Sequence, residues 1–136
     1  MFHLIYLSSA VVPFSAADLQ ALLEISRRNN TASDVTGLLL YRDGDFLQVI
    51  EGEEAVLDQL YAKISRDPRH RRMMILFRES IPSREFGDWS MGFRDLNTAP
   101  EQFPEGFNDL LNSSWSEMDL SAFSRKVRPF MKMFAN

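Results

Sequence analysis

The stretch 36–52, TGLLLYRDGDFLQVIEG, constrains the fold more than any other part of the chain. Two strand-like runs flank Asp43-Gly44, a pair favoured where a tight turn requires positive φ. The pattern predicts a β-hairpin. One residue resists the apolar logic of its second strand: Gln48, in the middle of FLQVIE. A primary amide carries two donor hydrogens and a two-lone-pair acceptor. Burying such groups unpaired costs about 1–3 kcal/mol each. Gln48 therefore needs a partner.

Around the hairpin the chain alternates in type. HLIYLS, residues 3–8, reads as a short strand. FSAADLQALLEISRRNN then predicts a helix, with Ser15 as N-cap and Asp18 in the capping-box position. Leu19, Leu22, Leu23 and Ser26 recur at helical spacing, and the end is expected near Asn29–Asn30. EEAVLDQLYAKISRD predicts a second helix through Val56, Leu57, Leu60 and Ile64, stopped by Pro68. RMMILFRES and WSMGFRD read as a fourth and a fifth strand. The order is β-α-β-β-α-β-β, an α+β pattern whose first six elements match the ferredoxin-like split-βαβ unit. Such a sheet has both helices on one face and leaves the other to be covered.

After Leu96 the composition shifts to NTAPEQFPEG, a linker rich in proline and turn residues. Helical stretches are expected at about 105–112 and 119–134. The second carries Leu120, Phe123, Val127, Phe130, Met131 and Phe134, with Pro129 interrupting it. The expected division is a domain over 1–96 and a linker with C-terminal helices over 97–136. The extension would cover the bare sheet face or join two subunits.

Composition narrows the function. The chain of 136 residues suits one domain with a short appendage. Its net charge of −4 argues against nucleic-acid binding. With no cysteine, disulfides, thiolate metal sites and cysteine nucleophiles are excluded. No apolar run approaches the roughly 18 residues of a membrane span, and MFHLIYLSS has no signal-peptide character. A cytoplasmic protein without membrane partners is expected. The sequence shows no metal-ligand cluster, nucleophile elbow or Walker loop.

Four polar features carry the functional signal. Strand alternation puts Leu4, Tyr6 and Ser8 on one face of the first strand, and Phe46, Gln48 and Ile50 on one face of the third. Those strands are central neighbours in a split-βαβ sheet, so Tyr6 and Gln48 can meet in the core. They form either a structural hydrogen bond or the floor of a site for a polar ring. Arg27–Asn30, RRNN, closes the first helix; the asparagines serve either as helix-end residues or as amides for a heterocycle. SRDPRHRR, residues 65–72, clusters Arg66, Arg69, His70, Arg71 and Arg72. It is either a solvated loop or a phosphate clamp. DWSMGF puts Trp89 and Met91 on one face of the last strand, as core or as a movable pair.

Tyr6, RRNN, FLQVIEGE, DPRH and WSM, in this order and spacing, together resemble the signature of BLUF domains, the flavin-based blue-light sensors, of the short stand-alone type. The resemblance covers residues 1 to about 96. It implies a five-stranded mixed sheet with two helices on one face and non-covalent FAD between those helices. It implies that Tyr6 and Gln48 are the photochemical pair. Asn30 and Asn29 would bind the pyrimidine edge of the flavin, and Ser26 would line the pocket. Asp67, Arg69 and His70 would lie beside the ribityl and phosphate chain. Lys63 falls where many relatives carry arginine; it keeps the charge without the planar fork. Trp89 and Met91 match the strand that reports the light signal. The implied chemistry is electron and proton donation from Tyr6 to excited flavin, then a rearrangement of Gln48 that red-shifts the absorption. No enzymatic activity is implied. The signal would pass to a homo-oligomer or a separate downstream protein. The competing readings are an acylphosphatase-like enzyme, although SSAVVPFSA lacks that family's loop arginine, and a colourless ferredoxin-like interaction module.

Overall fold

A computed structural model describes residues 1–84 and the backbone of Gly92–Asp95. The elements are β1 (Phe2–Ala10), α1 (Ala16–Ser33), β2 (Thr36–Arg42), β3 (Asp45–Gly52), α2 (Glu54–Ser65) and β4 (His70–Ser80). The four strands form an antiparallel sheet in the order β4-β1-β3-β2. This is the α+β arrangement expected from the element order. A short stretch, β5 (Gly92–Asp95), runs parallel beside β2. Trp89, Met91 and the expected linker and helices of 97–136 lie outside the described residues.

The hairpin turns as its sequence dictates. Asp43 and Gly44 have φ of 50° and 84°. Two positive values make the turn whose twist matches that of the strands. The start of α1 is also as expected: Ser15 Oγ accepts from Asp18 N–H, and the Asp18 carboxylate accepts from Ser15 N–H.

The end of α1 corrects the sequence reading. The helix does not stop at Asn29–Asn30 but continues to Ser33. Asp34 supplies the left-handed cap, with φ 57° and ψ 42°, and its N–H closes onto the carbonyls of Asn30 and Thr31. The two asparagines are thus held inside the last helical turns. A second correction concerns residues 65–72. The strand β4 begins at His70, two residues before the expected RMMILFRES run, so His70 and Arg71 join Arg72 in the sheet.

Leu19 and Leu23 of α1 and Leu57 of α2 pack in one core with Leu4, Tyr6, Leu39, Phe46 and Ile50 of the sheet. Both helices therefore lie on one face. On the opposite face Ile5, Leu38, Leu40, Leu47 and Val49 are also buried. Gly37 permits a close approach within the β2–β3 pair. A Cβ there would sit 2.0 Å from the Val49 carbonyl oxygen.

Candidate functional site

Tyr6 and Gln48 stand directly opposite one another in the β1–β3 register. Directly opposed residues of an antiparallel pair project from the same face. The Tyr6 hydroxyl donates to Gln48 Oε1. Both residues are buried, so the partner that Gln48 required is a phenol in the helix-facing core. Because Oε1 accepts from Tyr6, the opposite end of the amide is its donor end. Burial raises the Tyr6 pKa above that of an ordinary tyrosine, and the neighbouring Tyr61 raises it further. The phenol is accordingly held in its hydrogen-donating form. The Tyr61 ring meets the Tyr6 ring edge-on, with centroids 5.1 Å apart.

This pair floors a cavity of about 70 Å³ between the two helices. Leu22 and Ser26 reach it from α1, Ile64 from α2, Asp67 from the connection into β4, and His70 from the first position of β4. Ser8 Oγ lies 3.4 Å from His70 Nδ1, and the His70 ring packs edge-on against Phe46 at 5.1 Å. Burial lowers the His70 pKa, so the neutral ring is favoured.

A second cavity, about 320 Å³, lies between the same helices and is lined by Asn29, Asn30 and Lys63 among others. Asn30 is buried. It is held there by a helix end whose Val35 N–H donates to the Asn30 carbonyl at 2.8 Å.

Arg69 is engaged with Asp67: Nη2 lies 2.6 Å from Oδ2 and Nε lies 3.0 Å from Oδ1. The hydrogen bond from Arg69 is the main cause that holds the Asp67 carboxyl down at about 2. Arg69 also stacks over Phe14 and borders a third cavity of about 380 Å³ with Val11, Val12 and Pro13.

The structure thus gathers Tyr6, Ser26, Gln48, Asp67 and His70 at one cavity and Asn29, Asn30 and Lys63 at another. It adds Tyr61 and Ser8, whose only trace in the sequence is their spacing from Leu57 and Tyr6. Leu22, Leu39, Phe46 and Ile64 supply apolar walls, and amides and hydroxyls supply polar edges. That donor set fits a flat ring with apolar faces and a hydrogen-bonding rim, as a flavin has. Among the described residues no group of His, Asp and Glu could hold a metal ion.

Residues 1–92 match the family model described as BLUF, sensors of blue light using FAD. The chain is a BLUF protein. Its BLUF region is 42% identical over 92 residues to photoactivated adenylate cyclase subunit beta of Euglena gracilis, covering 65% of this chain and 11% of that protein. It is 37% identical over 78 residues to the blue light- and temperature-regulated antirepressor BluF of Escherichia coli, covering 57% of this chain and 19% of that one. Among solved structures, the dark-state structure of the BLUF protein BlrB superposes with a TM-score of 0.69 at 31% identity, covering 95% of this chain and 96% of BlrB. The chain spans only about a tenth of the length of the cyclase subunits it matches, 11% in the case above. Membership of the BLUF family makes this region a light-sensing module, not an acylphosphatase-like enzyme. Among the described residues no helix is long and apolar enough to cross a membrane.

Proposed function

We propose that Tyr6 and Gln48 are the photochemical pair of this blue-light sensor, and that FAD binds without a covalent bond between α1 and α2. The carrying observation is the Tyr6–Gln48 hydrogen bond, made in the helix-facing core on the floor of a cavity. Bound flavin would supply the blue absorption and an oxidant in its excited state. The chain supplies the rest. Tyr6, held protonated by burial, is the donor of an electron and a proton. Gln48 carries a donor and an acceptor on one flat group, so a rearranged amide presents the opposite end to its neighbours. Ser26 and the apolar walls would enclose the ring, Asn30 and Asn29 would hold its pyrimidine edge, and Lys63 would add a cation there. Asp67, Arg69 and His70 would hold the ribityl and phosphate chain, with Asp67 fixing the Arg69 fork. No cysteine is present to form an adduct. Purified protein expressed with ample flavin should be yellow and should release unmodified FAD on acid denaturation. A colourless protein contradicts the proposal.

The output route is part of the same reading. A five-stranded sheet would be completed by the strand carrying Trp89 and Met91, which leads in sequence to the expected helix 119–134. The apolar stripe of that helix is suited to cover the far face or to join a second copy. Met91→Ala should keep the spectral response and lose light-dependent amide exchange across 119–134. Full retention of that exchange would exclude Met91 as the link.

A further inference from the structure

We infer that Arg84 is a positioning residue for the asparagine end of the flavin site; the inference rests on the flavin reading above. Arg84 follows the end of β4, yet its guanidinium reaches three other elements. Nη1 donates to Thr36 Oγ1 at 2.8 Å and to the Glu51 backbone carbonyl at 3.0 Å. Nη2 donates to the Asp34 backbone carbonyl at 2.7 Å and lies 3.2 Å from the Asp34 carboxylate. The Thr36 hydroxyl donates onward to Glu51 Oε1 at 2.9 Å. One fork thus joins the cap of α1, the start of β2 and the end of β3.

The weights of these contacts differ. The Asp34 side chain is 95% exposed and that of Arg84 only 18%. The carboxylate contact is therefore the minor part, and the three neutral acceptors hold the fork. Planar geometry suits arginine to such a task, and lysine cannot reproduce it.

The connection to the site is short. Asp34, whose carbonyl Arg84 holds, is the residue whose N–H closes onto the Asn30 carbonyl. Val35 N–H donates to the same carbonyl. Helix ends fray unless their last carbonyls are held. Arg84 ties this end to β3, the strand that carries Gln48. It thereby sets where the amides of Asn29 and Asn30 stand relative to Gln48. Arg78 offers an internal control: its guanidinium pairs with Glu54 and Asp58, both on α2, and not with the cap of α1.

The test uses the full chain with Arg84→Gln, Arg84→Lys and Arg78→Gln. FAD affinity is titrated on apoprotein, and the flavin C2=O and C4=O stretches are recorded in the infrared. Arg84→Gln should weaken FAD binding about tenfold and move the carbonyl bands. Arg84→Lys should recover part of both, and Arg78→Gln should change neither. Affinity within about twofold of wild type and unmoved bands in Arg84→Gln overturn the inference, even if its melting temperature falls. If Arg84→Gln does not fold, Arg84→Lys decides: intermediate affinity with shifted bands supports the role, and wild-type values overturn it. A wild type that binds no flavin sinks the flavin reading itself. A wild type that binds and photoswitches, beside unaffected Arg84 variants, sinks this inference alone.

Discussion

On β1 and β3, residues Leu4, Tyr6, Ser8, Phe46, Gln48 and Ile50 face the helices, while Ile5, Leu47 and Val49 face away. All nine are buried; Leu7, next in the outward row, is half-buried. The two sets differ in where their polar groups lie. On the outward face, polar residues are confined to the strand ends, where His3 and Glu51 stand in register. There His3 Nε2 finds Glu79 Oε1 at 2.9 Å, and Glu51 is reached by Thr36. On the helix face, the polar pair Tyr6–Gln48 occupies the middle of the sheet, flanked by Leu4, Phe46 and Ile50. A polar group at a strand end can borrow a partner from the next element. At the sheet centre it must bring its own. The comparison separates a face built for packing from one in which packing has been given up at one point for a switchable hydrogen bond.

The largest effect should come from making the helix face resemble the outward one. Gln48→Leu keeps the volume and removes the amide. Flavin should still bind, and the reversible red shift under blue light should vanish. The substitution also leaves the buried Tyr6 hydroxyl without its acceptor, at a cost of about 1–3 kcal/mol. Adding Tyr6→Phe should return much of that stability. Urea unfolding of the two single variants and the double variant forms the cycle that checks it. Additive losses would mean the pair is not coupled in the way described.

A packing lesion on the outward face should do the opposite. Leu40 is fully buried. Leu40→Ala should cost about 2–5 kcal/mol of stability while the light-minus-dark spectrum keeps its shape. Loss of the spectral response in a folded Leu40→Ala protein would erase the distinction between the faces.

The sequence made much of this legible, and for physical reasons. Asp43-Gly44 announces its turn because few residues tolerate two positive φ values. Ser15 and Asp18 announce a helix start because the capping box is local. Tyr6 and Gln48 could be paired because strand alternation has a period of two and the split-βαβ order makes β1 and β3 neighbours. What stayed hidden depends on distant or ambiguous chemistry. Asn29-Asn30 reads as a stop, but the left-handed cap falls on Asp34, an aspartate like any loop residue. The start of β4 at His70 was masked by surrounding arginines, and Arg72 takes φ 55° within that strand. The bonds of Arg84 to residues 33–50 positions away leave no local pattern.

A smaller effect should appear with pH at the edge of the helix-face cavity. His70 is held neutral by burial. The unfolded chain takes up this proton near the ordinary histidine value of about 6.5, before the folded chain does. Stability is therefore lost as pH falls below that value. Urea midpoints at pH 7.5 and pH 5.5 should differ more in wild type than in His70→Gln. Equal differences would show that His70 does not carry the effect.

The most direct test of the central claim is the blue-light difference spectrum of flavin-loaded Tyr6→Phe beside wild type. This substitution removes one hydroxyl and keeps the ring that packs against Tyr61. The account predicts a reversible red shift in wild type and none in Tyr6→Phe, with flavin bound in both. A wild-type shift in Tyr6→Phe would contradict it and would make Tyr61, 5.1 Å away ring to ring, the next donor to remove.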